Sequence, residues 1–270
     1  MKRFFTLFII FIVIIGCKNN RIENNSHLDT HLTSINDTAS LLARFFSPLN
    51  FEKGTIAVWK PSMDDLFNMP LSFDSLCRTK LDTIIDINDK VHIALFRTDW
   101  YSENKTISSC HICAPTYSIA TIEKDTTGYS ITSFKKDLFS AGSFGHGYDS
   151  LTLEGFGKGN KLIRFLSSYT GTSNVTNQVT YFDLHYYEKM FSYFTYDESG
   201  DSTKLDPNFS VTEQKLIHIP QKNSDADDIE LSGYITSFDK NSKTYIKHKN
   251  EEYYKADAFG VYKRYIKPKD

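Results

Sequence analysis

Val91-His92-Ile93-Ala94-Leu95-Phe96 is the stretch on which the reading of the fold turns. It is a short apolar run, and from it onward the chain repeats one pattern. Strand-like segments cover Tyr117 to Ile122, Tyr129 to Phe134, Leu151 to Phe156, Lys161 to Tyr169, Gln178 to Tyr187 and Met190 to Tyr196. Turn signals separate them: Asp125-Thr126-Thr127-Gly128, Gly157-Lys158-Gly159-Asn160 and Glu198-Ser199-Gly200-Asp201. Short runs with such punctuation predict antiparallel strands joined by turns. The fold class expected is mainly β (α+β), an antiparallel sandwich or open barrel with an N-terminal helix. No strand–helix alternation is visible, which speaks against a doubly wound sheet.

Upstream of this run, Asn36-Asp37-Thr38 offers N-cap chemistry. Leu41, Leu42, Phe45, Phe46 and Leu49 then recur at helical spacing, and Pro48 stands in the last turn or just past it. The spacing predicts a helix over 38–49 that serves core packing. A second short helix is expected from Ser62 to the residue before Pro70. Downstream, 201–228 is polar, with Pro207, Pro220 and an acidic cluster at Asp225, Asp227 and Asp228. It reads as a linker or long surface loop over 203–228. Short strands are expected after it at Glu230 to Phe238, Lys243 to Lys247, Glu252 to Tyr254 and Gly260 to Ile266. That C-terminal piece is too small for a core of its own, so it should pack on the main body and complete its sheet.

The chain's 270 residues suffice for one large domain or two small ones. Apolar residues at 40% and charged residues at 24% are ordinary for a globular protein. The 21 Phe and 16 Tyr tilt the expectation toward strands. With 31 basic against 33 acidic residues and no basic block, nucleic acid is not an expected partner.

Met1-Lys2-Arg3 precedes an apolar run from Phe4 to Ile15, too short to span a bilayer as a helix. The run ends in Ile14-Ile15-Gly16-Cys17, which resembles the lipobox of bacterial lipoproteins. The resemblance implies a signal peptide over 1–16, cleavage before Cys17, a diacylglycerol thioether on its sulfur and a further acyl chain, such as palmitate, on its amine. Two or more acyl chains hold a protein stably on a membrane, at about 0.8 kcal/mol per buried methylene. Lys18 after the lipid-bearing cysteine, rather than Asp, favours the outer membrane under the enterobacterial sorting rule. Residues 17–37 then read as lipidated cysteine and flexible tether, and 38–270 as a single mainly β domain. His27 and His31 would share one helix face, but in so polar a segment they read as solvated linker.

Cys110-His111-Ile112-Cys113-Ala114-Pro115 is the densest chemistry in the chain. With Val91 to Phe96 before it and Gly142-Ser143-Phe144-Gly145 after it, the motif resembles a loose family of uncharacterised bacterial secreted proteins and lipoproteins. That resemblance implies export and a β-rich body, and implies no activity. The two thiols can meet only if the chain turns between them, because residues three apart on a strand face opposite ways. Pro115 pushes Ala114 toward extended geometry, so a strand should begin after it. Three chemistries fit Cys110 and Cys113: a structural disulfide, favoured by an oxidising compartment, a redox dithiol, and a metal site with His111. A metal would need further ligands, for which Cys77, His92 and His146 are candidates. Cys-x-x-Cys-His haem attachment is ruled out, because Ala114 stands where the histidine must be.

Gly142-Ser143-Phe144-Gly145-His146-Gly147 resembles a nucleophile elbow with Ala141 in place of its first Gly. An elbow needs a following helix, whereas Ser150 to Phe156 looks like a strand, so a Gly-rich turn is the expectation. Tyr181, Phe182, Tyr186, Tyr187, Phe191, Tyr193, Phe194 and Tyr196 crowd one hairpin. They are expected to form sheet core; an exposed face would suit sugars or a protein partner. The function expected is a membrane-anchored, non-enzymatic binding or structural module of the envelope. Its partners would be the bilayer and an unidentified protein or small molecule. The alternative is a metal-binding or thiol-redox protein using Cys110 and Cys113. No cofactor is identifiable.

Overall fold

Ile93, Ala94, Leu95 and Phe96 are all exposed by 1% or less, so the run buries both of its faces. A strand covered on one side alternates apolar and polar residues; one covered on both sides has no reason to. What covers each face defines the architecture. The computed structural model describes residues 31–62, 76–101, 114–171, 173–200, 206–222 and 224–266.

The run opens strand β5 (Val91–Tyr101) at the centre of a seven-stranded sheet. Its companions are β1 (His31–Leu32), β2 (Asn50–Glu52), β3 (Ile56–Trp59), β4 (Leu76–Asp86), β6 (Thr116–Lys124) and β7 (Tyr129–Ser140), in the order β1-β7-β6-β5-β4-β3-β2. The chain thus passes from one edge of this sheet to the other between β1 and β2, and helix α1 (Thr38–Phe46) lies on that path. Asp37 caps it, accepting from Ser40 N at 3.1 Å and Ser40 Oγ at 2.7 Å. Ser47 adopts a left-handed φ of 42° and ends it before Pro48, three residues short of the expected boundary at 49. Leu41, Leu42 and Phe46 pack with Ala94, Phe96, Ala120, Ile122 and Trp59 into the core under this face.

The opposite face carries Ile93, Leu95, Tyr117 and Ile119, which pack against Ile163, Phe165, Phe182 and Tyr187 of the second sheet. That sheet has eight strands in sequence order: β8 (Ser150–Gly155), β9 (Lys161–Thr170), β10 (Asn174–Asp183), β11 (Lys189–Ser199), β12 (Ser210–Ile219), β13 (Asp228–Asp239), β14 (Thr244–Ala256) and β15 (Tyr262–Tyr265). The Phe156 ring, just past β8, lies 5.6 Å from that of Tyr262 on β15, and Asp227 N donates to Phe156 O at 3.2 Å. The two ends of the sheet therefore approach each other, and it curls around a core of its own that includes Leu162, Val179, Tyr181, Phe191 and Ile229. Every ladder in both sheets is antiparallel, and 141–149 is the crossing between them.

Several expectations are corrected. The segment 203–228 is not all loop, because Ser210–Ile219 forms β12, paired along its whole length with β13. Its many polar residues hide it, and the neighbouring strands supply the ladder that its composition does not announce. The two strands expected at Lys243–Lys247 and Glu252–Tyr254 are one, β14, which begins at Thr244. The strand expected to run to Tyr187 stops at Asp183. β2, β3 and β4 were not foreseen. The C-terminal strands do complete a sheet, the second one. The helix expected between Ser62 and Pro70 falls outside the described residues.

Candidate functional site

β5, β6 and β7 run on past the point where the second sheet covers them. Ile93 is buried in the shared core, whereas Val91, two residues earlier on the same face, lines an open groove of about 430 Å3. The groove's floor is built in register: Ile93 stands opposite Thr121, Thr121 opposite Ser133, and Val91 opposite Glu123. The ladder between β6 and β7 shifts between Thr121 and Ile122, so Thr132 is an extra, bulged residue. A bulge re-aims a side chain, and Thr132 faces the groove.

The far wall is the β10–β11 turn, with Leu184, His185 and Tyr186. This turn is held from both sides. The Asp183 carboxylate accepts from His185 N at 2.8 Å, Tyr186 N at 2.7 Å and Glu188 N at 2.6 Å. Lys135 on β7 donates to Tyr186 O at 3.4 Å, Tyr187 O at 3.1 Å and Glu188 Oε1 at 2.8 Å. Tyr187 has a left-handed φ of 55° and turns its ring into the shared core. Its hydroxyl is hydrogen-bonded to Thr121 Oγ1 and lies 3.5 Å from Ser133 Oγ. Burial pushes the Tyr187 phenol up from its ordinary pKa, and these hydroxyl contacts pull against that shift. Anchored this way, the turn leaves the Tyr186 ring 72% exposed at the rim. A non-glycine residue held at positive φ needs surrounding contacts to keep it there, and such residues cluster at ligand sites.

A second polar cluster sits inside the curl of the eight-stranded sheet. Glu154 Oε2 accepts from Tyr181 OH at 3.0 Å and faces Arg164 Nε at 3.4 Å. Its other oxygen meets His218 Nε2 at 3.0 Å, and His218 Nδ1 lies 3.5 Å from Asp227 Oδ2. Burial, first of all, raises the Tyr181 and Tyr193 phenols here. His218 Nδ1 is buried and makes no hydrogen bond, approaching only the Asp227 carboxylate, and the cluster ties edge strand β8 to β12 and to the start of β13. We assign it to closing the curl.

The sequence candidates are dispersed. Cys110, His111 and Cys113 lie outside the described residues, as does Cys17. Ala114 and Pro115 are described, and β6 begins immediately after Pro115, as expected. Cys77 is buried on β4 under α1, opposite Trp59. His92 stands opposite Asp86, nine residues further along β4, and its Nδ1 is 2.6 Å from the Asp86 carboxylate. At about 3.3 Å per residue, Cys77 and His92 are roughly 30 Å apart, too far to share a metal ion. His146 is exposed on the crossing loop. That loop is a Gly-rich turn and not a nucleophile elbow. Ser143 is buried and its hydroxyl accepts from Thr170 N at 3.0 Å. A Cβ at Gly147 would lie 1.9 Å from Tyr117 OH, and one at Gly142 2.0 Å from His146 O, so side chains are excluded by close packing. Among the described residues, no group of three or more His, Cys, Asp or Glu is arranged to hold a metal ion.

The groove was missed in the sequence because its walls come from residues nearly a hundred positions apart. One signal for it was present: the aromatic-dense hairpin. Tyr181, Phe182, Tyr187, Phe191 and Tyr193 are buried as expected, while Tyr186 and Phe194 are exposed. No family model, curated protein or solved structure matches this chain.

Proposed function

We propose that this protein is a lipid-anchored, non-enzymatic binding module of the bacterial envelope, held at the outer membrane through acylated Cys17. The observation that carries the anchor is the leader itself: basic Lys2 and Arg3, an apolar run, then Gly16-Cys17. The polar segment that follows is a tether between lipid and body. A binding role, rather than a purely structural one, is supported by the groove beneath Tyr186. Its volume falls in the range of small-molecule sites, roughly 300–1,000 Å3. Its rim is held in place before any ligand arrives, which reduces the ordering cost of binding.

Metabolic labelling with radioactive palmitate tests the anchor. The wild-type chain is expected to carry label, and Cys17→Ser to carry none. An unlabelled wild type, or a labelled Cys17→Ser, overturns the reading.

A further inference from the structure

We infer that the groove between β5–β7 and the β10–β11 turn is a carbohydrate subsite, which takes a neutral pyranose ring with Tyr186 as its stacking platform. The inference rests on the binding-module reading and names its ligand class. A pyranose has two kinds of surface, an apolar C–H face and a rim of hydroxyls. The groove offers a counterpart to each. Ile87, Val91 and Leu184 contribute apolar lining, and the exposed Tyr186 stands at the rim. Aromatic rings present large, rigid apolar faces at low conformational cost. Around them, Glu123, Thr132 and His185 supply acceptors and donors for hydroxyl groups. A carboxylate acceptor makes the stronger, charge-assisted kind of hydrogen bond.

Other ligand classes fit less well. An acyl chain would bury these polar groups without partners, at about 1–3 kcal/mol each. An anionic ligand would face the Glu123 carboxylate. The nearby lysine, Lys135, is already engaged by two carbonyls and by Glu188. The bulge brings Thr132 to this volume, and Tyr187, buried at a left-handed φ, leaves its neighbour Tyr186 at the rim. Thr132 belongs to the first sheet and Tyr187 to a turn of the second, and Lys135 ties the two walls together.

The test uses the full lipidated chain in a polyoxyethylene detergent, which carries no sugar to compete. Chitotriose, cellotriose and mannotriose are titrated, with binding read by saturation-transfer NMR and calorimetry. At least one is expected to bind, and Tyr186→Ala to weaken it by about tenfold, equivalent to about 1.4 kcal/mol. Glu123→Gln should weaken it in the same direction. Phe259→Ala removes another exposed aromatic, 85% exposed and on the β14–β15 turn, and is expected to leave binding unchanged. Binding of none of the three at millimolar concentration overturns the assignment. So does binding that survives Tyr186→Ala unchanged, or saturation transfer from a trilysine peptide in place of the sugars. Palmitate labelling is read on the same preparations, so loss of the anchor and loss of the sugar site are separate results.

Discussion

Phe96 sits where four aromatic rings converge. Its centroid lies 5.4 Å from Phe45, 5.8 Å from Phe46 and 6.4 Å from Phe134, each pair edge-to-face. Edge-to-face contacts align the positive ring edge with the negative face, adding to the burial itself. Phe45 and Phe46 were readable as part of a helical stripe, and Phe96 as part of a strand. That they meet was not, because nothing in the local pattern says which face of a strand a helix will cover. Phe96→Ala removes the centre of the group and is expected to cost about 3–5 kcal/mol in urea unfolding, as such large-to-small core changes do. A loss below about 1 kcal/mol would contradict this packing.

Among the elements, the β10–β11 turn shows how one side chain redirects a strand. Tyr186 and Tyr187 belong by composition to a strand, and the sequence reading extended it through them. Asp183 ends it instead, because its carboxylate satisfies three backbone donors of the turn, His185, Tyr186 and Glu188, that a ladder would otherwise have used. Asp183→Ala is expected to speed amide hydrogen exchange at His185, Tyr186 and Glu188 by more than about tenfold. The amides of Val179 and Tyr181, inside the ladder, should keep their protection. Uniform acceleration along β10 would mean that the turn is not an independent unit. β12 shows the converse. Its Glu213, Gln214 and Lys215 read as loop, yet β13 pairs with it residue by residue from Ser210 to Ile219. A strand whose ladder is supplied by a neighbour needs little propensity of its own.

At the scale of the whole molecule, burial raises the phenols of tyrosines in both sheets. Tyr117, Tyr148, Tyr181 and Tyr262 are all pushed well above the ordinary phenol pKa of 10, first of all by burial. Tyr254 is pushed up to about 12, by burial and then by its hydrogen bond to Glu252. Their folded pKa values lie above the unfolded value, so their contribution to stability is fully present below pH 10. It is lost as pH rises from about 10 through the folded values, because the unfolded chain gives up those protons first. Tyrosinate absorbance from these residues is therefore expected to appear together with the loss of β-sheet circular dichroism. Reversible titration of all sixteen tyrosines near pH 10 with the sheet signal intact would overturn the packing of both cores.

Local chemistry by itself determined the class of this protein. Apolar runs beginning at Val91, turn residues such as Asp125 and Gly128, the Asp37 cap and the stripe from Leu41 to Phe46 each act within a few residues, so each is readable without the rest of the chain. The apolar run before Gly16-Cys17 is readable in the same way, and the proposed anchor rests on it. Only the tertiary structure decided which strands lie side by side, which face of β5 the helix covers, and that Tyr187 turns inward while Tyr186 stays out. The reason is register: Thr121, Ser133 and Tyr187 meet across 66 residues of sequence because two antiparallel sheets stack with their ends offset. The groove exists in that offset, and no short stretch of the chain encodes it.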